Sequence, residues 1–169
     1  MDMKFCRRCG SVLEHAEENV YKCVQGHVIF ANASPAVGMF FINESKEVLL
    51  AVRARNPAKG KLTLPGGFCC SNETLEAALG REIQEELGVS EAQYTGPTYL
   101  LSDNHSYEYS GETMQVIVAT YYSQLQGQVQ PGDDVAAVRW LRYEAVPRDQ
   151  LAFSVVGRGL DRLRQLGLI

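Results

Sequence analysis

The sequence predicts a mixed α/β fold preceded by a small metal-stabilised module, and three observations carry that expectation. Apolar runs of strand length at 36–42 and 47–52 flank the turn-forming Asn43-Glu44-Ser45-Lys46. A glycine loop, Pro65-Gly66-Gly67, opens a segment from Leu75 whose apolar residues recur with helical spacing. Four soft metal-ligand side chains crowd the first 33 residues. Strand and helix patterns do not alternate regularly, which argues against a doubly wound parallel sheet.

The bulk numbers narrow the function. A chain of 169 residues with 46% hydrophobic content builds one core with at most a small appendage. A formal charge of −4 supplies no basic field, so neither nucleic acid nor a membrane surface is an expected partner. A polyanionic ligand must therefore be held locally, by a metal or a few placed cations. No apolar run approaches the ~18 residues that span a bilayer, and Met1 to Cys6 lacks the apolar core of a signal peptide, so the expected location is cytoplasmic. In that reducing compartment closely spaced cysteines read as metal ligands rather than disulfides.

Taken in order, residues 1–33 form the first unit. Cys6-x2-Cys9-Gly10 and Cys23-x3-His27 give two close ligand pairs, the donor set of tetrahedral zinc. So short a segment cannot bury enough apolar surface to fold alone, and a structural Zn2+ would supply what the core does not. Lys4, Arg7, Arg8 and Lys22 are balanced by Asp2, Glu14, Glu17 and Glu18, which favours a structural or dimer-forming role over nucleic-acid binding.

The second unit, residues 34–169, starts at Ser34-Pro35. The runs 36–42 and 47–52 read as a buried hairpin, and 62–64 as a short strand stopped by the glycine loop. The helix that follows begins at about Thr74 and ends at Leu87, with Gly88 in the position past a helix that favours a left-handed residue. Strands are expected at 98–101, 114–122 and 137–141 and a helix within 151–166; polar residues 102–112 are the longest expected loop, their aromatics suiting a substrate lid.

The chemistry lies on the first helix. At about 100° per residue, Leu75, Leu79, Ile83 and Leu87 make a drifting apolar stripe, while Glu82, Glu85 and Glu86 gather on the neighbouring face, with Glu86 partly shielded. Like charges at these spacings destabilise a helix by roughly 0.2–0.5 kcal/mol each, so a cation belongs there. Hard divalent cations prefer carboxylate oxygens, and Mg2+ in particular bridges carboxylates to substrate phosphates. Arg81 can hold a carboxylate in a bidentate pair, and Gly66 and Gly67 let the backbone approach metal and phosphate.

The stretch from Gly67 through Glu73 to Arg81-Glu82-Ile83-Gln84-Glu85-Glu86-Leu87-Gly88-Val89 resembles the Nudix signature at every fixed position. The resemblance implies an α/β/α sandwich with a mixed sheet and a pyrophosphohydrolase dependent on Mg2+ or Mn2+. By it, Glu82, Glu85 and Glu86 hold metal, with one of them doubling as base, Gly66 lends its carbonyl, and Arg81 and Glu73 orient the set. Asp134, of the pair Asp133-Asp134, stands where some members carry a further acidic ligand. Within the loop, Cys70 and Asn72 depart from the residues most members carry, and Cys69 and Cys70 read as inert packing.

The N-terminal module resembles the zinc ribbon of the NADH pyrophosphatase and ADP-ribose pyrophosphatase branch. There the usual second pair is Cys-x2-Cys; here His27 serves one residue late, with His15 as an alternative. The Pro-Trp-Pro core that marks NADH-specific members is absent between Gly96 and Gly111. The layout implies a small nucleotide substrate of the ADP-ribose, NAD(H) or FAD type, with Phe68 and Tyr107 as candidate base-stacking residues and a homodimer as a compatible assembly. The competing reading is a non-catalytic Nudix module that senses a nucleotide.

Overall fold

A computed structural model describes residues 3–132 and 134–169. A small antiparallel sheet, in order β1-β2-β3, is formed by β1 (Leu13–Glu17), β2 (Val20–Cys23) and β3 (Val28–Phe30). The larger sheet is mixed and comprises β4 (Ser34–Ile42), β5 (Val48–Arg53), β6 (Leu62–Thr63), β7 (Thr98–Tyr109), β8 (Glu112–Gln124) and β9 (Val135–Leu141). Its order is β6-β5-β4-β8-β7, with β9 paired to β5. Helices α1 (Leu75–Leu87) and α2 (Ser154–Gln165) complete it. Among the described residues no helix is long and apolar enough to cross a membrane.

Alternation along β4 sets the layers. Val37, Met39 and Phe41 join Ala78, Leu79, Ile83 and Leu87 of α1 in one apolar cluster, whereas Ala36, Phe40 and Ile42 join Val155, Val156, Leu160 and Leu163 of α2 in another. Successive side chains on a strand point to opposite faces, so the helices lie on opposite sides of the sheet. The expected α/β/α sandwich is present. Because β4 is buried on both faces, it reads as an unbroken apolar run rather than an alternating one.

Helix α1 has the expected bounds. Thr74 Oγ1 accepts a hydrogen bond from Ala77 N at 3.2 Å, and Gly88 closes the other end at φ 64° with its N–H on Gln84. Of the predicted stripe, Leu79, Ile83 and Leu87 are buried but Leu75 is exposed. Each step of four residues rotates the stripe by about 40°, so three steps turn Leu75 off the buried face, and Ala78 fills its place.

Two expectations are corrected. The hairpin of β4 and β5 is splayed: only Phe41↔Leu49 and Ile42↔Val48 pair, after which β6 takes up β5 at Ala51↔Thr63 and Val52↔Leu62. The edge of β4 is taken instead by the glycine loop, through Val37 N to Gly67 O (2.9 Å), Met39 N to Pro65 O (3.0 Å) and Cys69 N to Pro35 O (3.1 Å). A cleft opens where the two strands part.

Residues 102–112 are not a loop. They are the facing ends of β7 and β8, joined by the two-residue turn Ser110-Gly111, both at positive φ (51° and 84°), as a hairpin with right-handed twist requires. Leu101, Asp103, His105 and Tyr107 alternate inward, half-buried, against exposed Ser102, Asn104, Ser106 and Glu108. Asp103 forms an ion pair with Arg158, joining β7 to α2.

Candidate active site

The glycine loop is pressed against β4 so closely that a Cβ on Gly66, whose φ is 138°, would lie 2.2 Å from the Val37 carbonyl oxygen. No other residue type fits there. Gly66 N donates to Glu86 Oε2 at 2.8 Å, and among the described residues nothing hydrogen-bonds the Gly66 carbonyl. Loop and helix are thus tied together at the carboxylate that was expected to be shielded.

Arg81 organises the rest. Its Nε and Nη2 donate to the two oxygens of Glu73 at 2.6 and 3.0 Å, and Cys70 N donates to Glu73 Oε2 at 2.9 Å. Its Nη1 donates to Glu82 Oε1 at 2.7 Å and Glu85 Oε2 at 3.1 Å, while Nη2 also reaches the Phe68 carbonyl at 3.1 Å. The Arg81 guanidinium and the Cys70 amide hold the Glu73 carboxyl down at about 2, and the glutamates raise Arg81 further above its already high range. Arg81 is therefore a permanent cation that fixes where Glu73 and Glu82 point.

Burial works in the opposite sense on the other two. It pushes Glu82 up despite the Arg81 contact, and it pushes Glu86 to about 7, with Glu82 and Asp134 adding like-charge repulsion. Glu85 is exposed. The box thus holds more negative charge than its one arginine balances, and its donors are all hard oxygens, which suits Mg2+ or Mn2+.

Glu82, Glu86, Gly66 and Asp134 line a cleft of about 280 Å³ in the gap between β4 and β5. Phe68 and Tyr107 stand together on its wall, edge to face, with centroids 5.3 Å apart. Four further residues that no motif had singled out line it: Arg53, Arg55, His105 and Phe153. Arg53 Nε donates to the Pro57 carbonyl at 2.7 Å, and its guanidinium lies 5.2 Å from the Phe153 ring centroid. His105 stacks on Phe153 at 4.9 Å, and burial lowers its pKa, leaving it neutral at physiological pH. Asp134 sits at the mouth, its Oδ1 2.8 Å from Arg55 Nε; Asp133 lies outside the described residues. Of the loop cysteines, Cys69 packs half-buried in the α1 cluster and Cys70 is exposed, so the packing expectation fits only the first.

A second cluster lies in the N-terminal sheet. The ligand atoms of Cys6, Cys9, Cys23 and His27 all lie within 4.8 Å of one another. His27 Nδ1 is 3.3 Å from Cys9 Sγ and 3.6 Å from Cys6 Sγ, and Cys9 Sγ is 3.7 Å from Cys23 Sγ. Ligands held ~2.0–2.3 Å from a tetrahedral ion lie about 3.3–3.8 Å apart, so the spacing fits a bound metal. The Ser11 hydroxyl and amide lower the Cys9 thiol to about 6, toward the thiolate a metal needs. His15 instead packs against Tyr21 and meets the Glu18 carbonyl, so it is not the fourth ligand.

Comparison with known proteins places this geometry in a family. The NUDIX domain family matches residues 33–156. The NAD-capped RNA hydrolase NudC of Chromobacterium violaceum is 28% identical over 170 residues, covering 96% of this chain and 60% of that protein. The chain thus spans about 60% of that relative's length. The ADP-ribose pyrophosphatase of Methanocaldococcus jannaschii is 46% identical over 56 residues, 32% of this chain and 33% of that protein. Among solved structures, a NUDIX hydrolase from Nitrosomonas europaea superposes with a TM-score of 0.69 at 26% identity, covering 96% of this chain and 91% of that one. The NUDIX domain of Shewanella oneidensis NrtR, solved with ADP-ribose, has a TM-score of 0.65 at 22% identity over 81% of this chain and 90% of that one, a likeness of fold. The extent of the domain match and the complete box together establish that the chain belongs to the NUDIX family.

Proposed function

We propose that the protein is a metal-dependent hydrolase that cleaves the pyrophosphate link of a nucleoside diphosphate joined to another group, of the ADP-ribose, NAD(H) or FAD type. The observation that carries this reading is the juxtaposition, in one cleft, of the under-neutralised box carboxylates Glu82 and Glu86 with the aromatic pair Phe68 and Tyr107. Acidic and aromatic walls meet where a nucleotide would have its phosphates and its base.

Glu82, Glu85, Glu86, Asp134 and the Gly66 carbonyl would hold Mg2+ or Mn2+, which neutralises phosphate charge and activates water when bound. The chain's own contribution is positional. Arg81 and Glu73 lock the direction of Glu82, and Gly66 N fixes Glu86 Oε2. With a pKa of about 7, Glu86 can hold or release a proton near neutral pH. Phe68 and Tyr107 offer faces and edges for stacking on a base.

The converging thiolate and imidazole donors support a structural Zn2+ in the N-terminal module. The substrate is a small nucleotide, with no basic surface assigned to nucleic acid, and the same chemistry extends to the nicotinamide dinucleotide end of a capped RNA. The test is a screen of diphosphate derivatives with either metal at mildly alkaline pH, reading products by chromatography. AMP plus a second monophosphate is the expected outcome. Activity confined to a phosphate monoester, or none on any diphosphate, contradicts the proposal and leaves the nucleotide-sensing reading.

A further inference from the structure

Asp134 is fixed in position but not in direction. Its turn is pinned to α1 by Gly132 N on the Glu86 carbonyl (2.7 Å) and to the end of β5 by Ala54 N on the Asp134 carbonyl (3.0 Å). A Cβ at Gly132 would lie 2.1 Å from the Glu85 carbonyl oxygen, so only glycine lets the turn lie this close to the helix. The carboxylate, by contrast, is turned toward Arg55 by one ion pair of 2.8 Å between side chains 66% and 51% exposed. Such a pair is worth little in water and is readily exchanged.

Arg55 is also the cation free to move. Arg53, the other arginine on the cleft wall, is anchored by the Pro57 carbonyl and stacked by Phe153. Arg55 borders both the cleft and the open acidic trough beside it, whose lining sets its guanidinium among Glu82, Glu85, Glu86 and Asp134. An entering diphosphate meets a wall of carboxylates, and a guanidinium offers it two parallel donors.

We infer that Arg55 is a substrate-binding residue that exchanges partners when the diphosphate enters, leaving Asp134 for a phosphate oxygen and so releasing the Asp134 carboxylate toward the box glutamates. Once released, Asp134 adds negative charge beside Glu82 and Glu86, which is favourable only with a divalent cation among them. Binding of the cation and of the diphosphate are therefore coupled through one ion pair, each raising the affinity of the other. The exchange rests on the proposed function for the identity of the incoming anion.

The test compares two affinities in the full-length protein: Mn2+ without nucleotide, and the non-hydrolysable α,β-methylene-ADP in the presence of a chelator. Arg55→Ala is expected to tighten Mn2+ about 3-fold or more and to weaken the nucleotide about 10-fold or more. Arg55→Gln repeats the measurement should the alanine variant melt early, and Arg55→Lys, which keeps charge but loses the fork, falls between for the nucleotide. Measured against Asp134→Asn alone, adding Arg55→Ala leaves Mn2+ affinity unchanged if the gain runs through Asp134, and still tightens it if the gain reflects only the loss of a nearby cation. That second outcome overturns the exchange. So does any result in which Arg55→Ala moves both affinities the same way, as a merely structural residue would, or leaves the nucleotide unaffected. Hydrolysis by the wild-type protein is measured alongside: its absence removes the proposed function, while the exchange is judged by the affinities alone.

Discussion

The two candidate metal sites of this chain are built on opposite plans. Beside the N-terminal sheet the four ligand atoms already converge, within 4.8 Å of one another, and among the described residues the small apolar cluster there buries Cys6, Leu13, Cys23 and Ile29. In the box the carboxylates are held apart: Arg81 takes oxygens of Glu73, Glu82 and Glu85, while the Gly66 amide takes Glu86. Behind them lies a core of strands and helices that needs no metal to be complete. A metal that substitutes for a core must be fully enclosed by the chain. One that works on a substrate must share its coordination, and the chain positions only part of the shell.

Substitutions in the two regions are expected to leave different signatures. The largest effect is expected from Glu82→Gln or Glu86→Gln, each lowering kcat at least ~10²-fold with circular dichroism unchanged. Near-wild-type turnover would remove these residues from the site. Arg81→Lys keeps the charge but cannot make the forked contacts to Glu73 and Glu82, so steady-state kinetics should show kcat/KM lower by about 10-fold or more and a higher Mg2+ requirement.

The Cys/His region should behave conversely. Cys6→Ser or Cys23→Ser is expected to abolish about one bound metal per chain and lower the thermal midpoint, with kcat changed less than about 3-fold; elemental analysis with kinetics checks both halves. A collapse of kcat in these variants would mean that the two regions are not separable.

The smallest effect is a pH dependence in the metal-free protein. Burial raises the Glu86 pKa from 4.5 to about 7, so the folded state holds a proton that the unfolded state gives up. That contribution to stability is complete below about pH 4.5 and is lost as pH rises through 7. Glu86→Gln, which needs no ionisation, should therefore raise the melting temperature of the metal-free protein by a few degrees above pH 7 and leave it unchanged near pH 4.5. Equal shifts at both pH values would refute the burial argument. Glu73 has the opposite sign: its carboxyl is depressed from 4.5 to about 2, so its contribution is present above 4.5 and is lost progressively as pH falls from there through about 2.

The sequence was informative where chemistry and periodicity coincide. Helix α1 was bounded by Thr74 and Gly88 because capping residues flank a long 3.6-residue repeat, and the α/β/α layering followed from the family resemblance. The hairpin of β7 and β8 is not legible in the sequence because its inward positions include Asp103 and His105, so the two-residue alternation carries no hydropathy signal. The turn residues Ser110-Gly111 were the available clue. Phe68 and Tyr107 were named from the sequence and do meet, whereas Arg53, Arg55, His105 and Phe153 join the cleft only because β4 and β5 part after two residue pairs. That divergence depends on where the glycine loop lies, a tertiary fact with no local pattern.

Two metals with separate jobs are told apart most directly by extended dialysis against a mild chelator, followed by elemental analysis and ADP-ribose hydrolysis on the same sample. Hydrolysis should vanish and return in full with Mg2+ or Mn2+ alone, while zinc stays at about one per chain throughout. Activity that survives dialysis unchanged, or that returns only with zinc, would contradict the division between a structural Cys/His centre and a working carboxylate box.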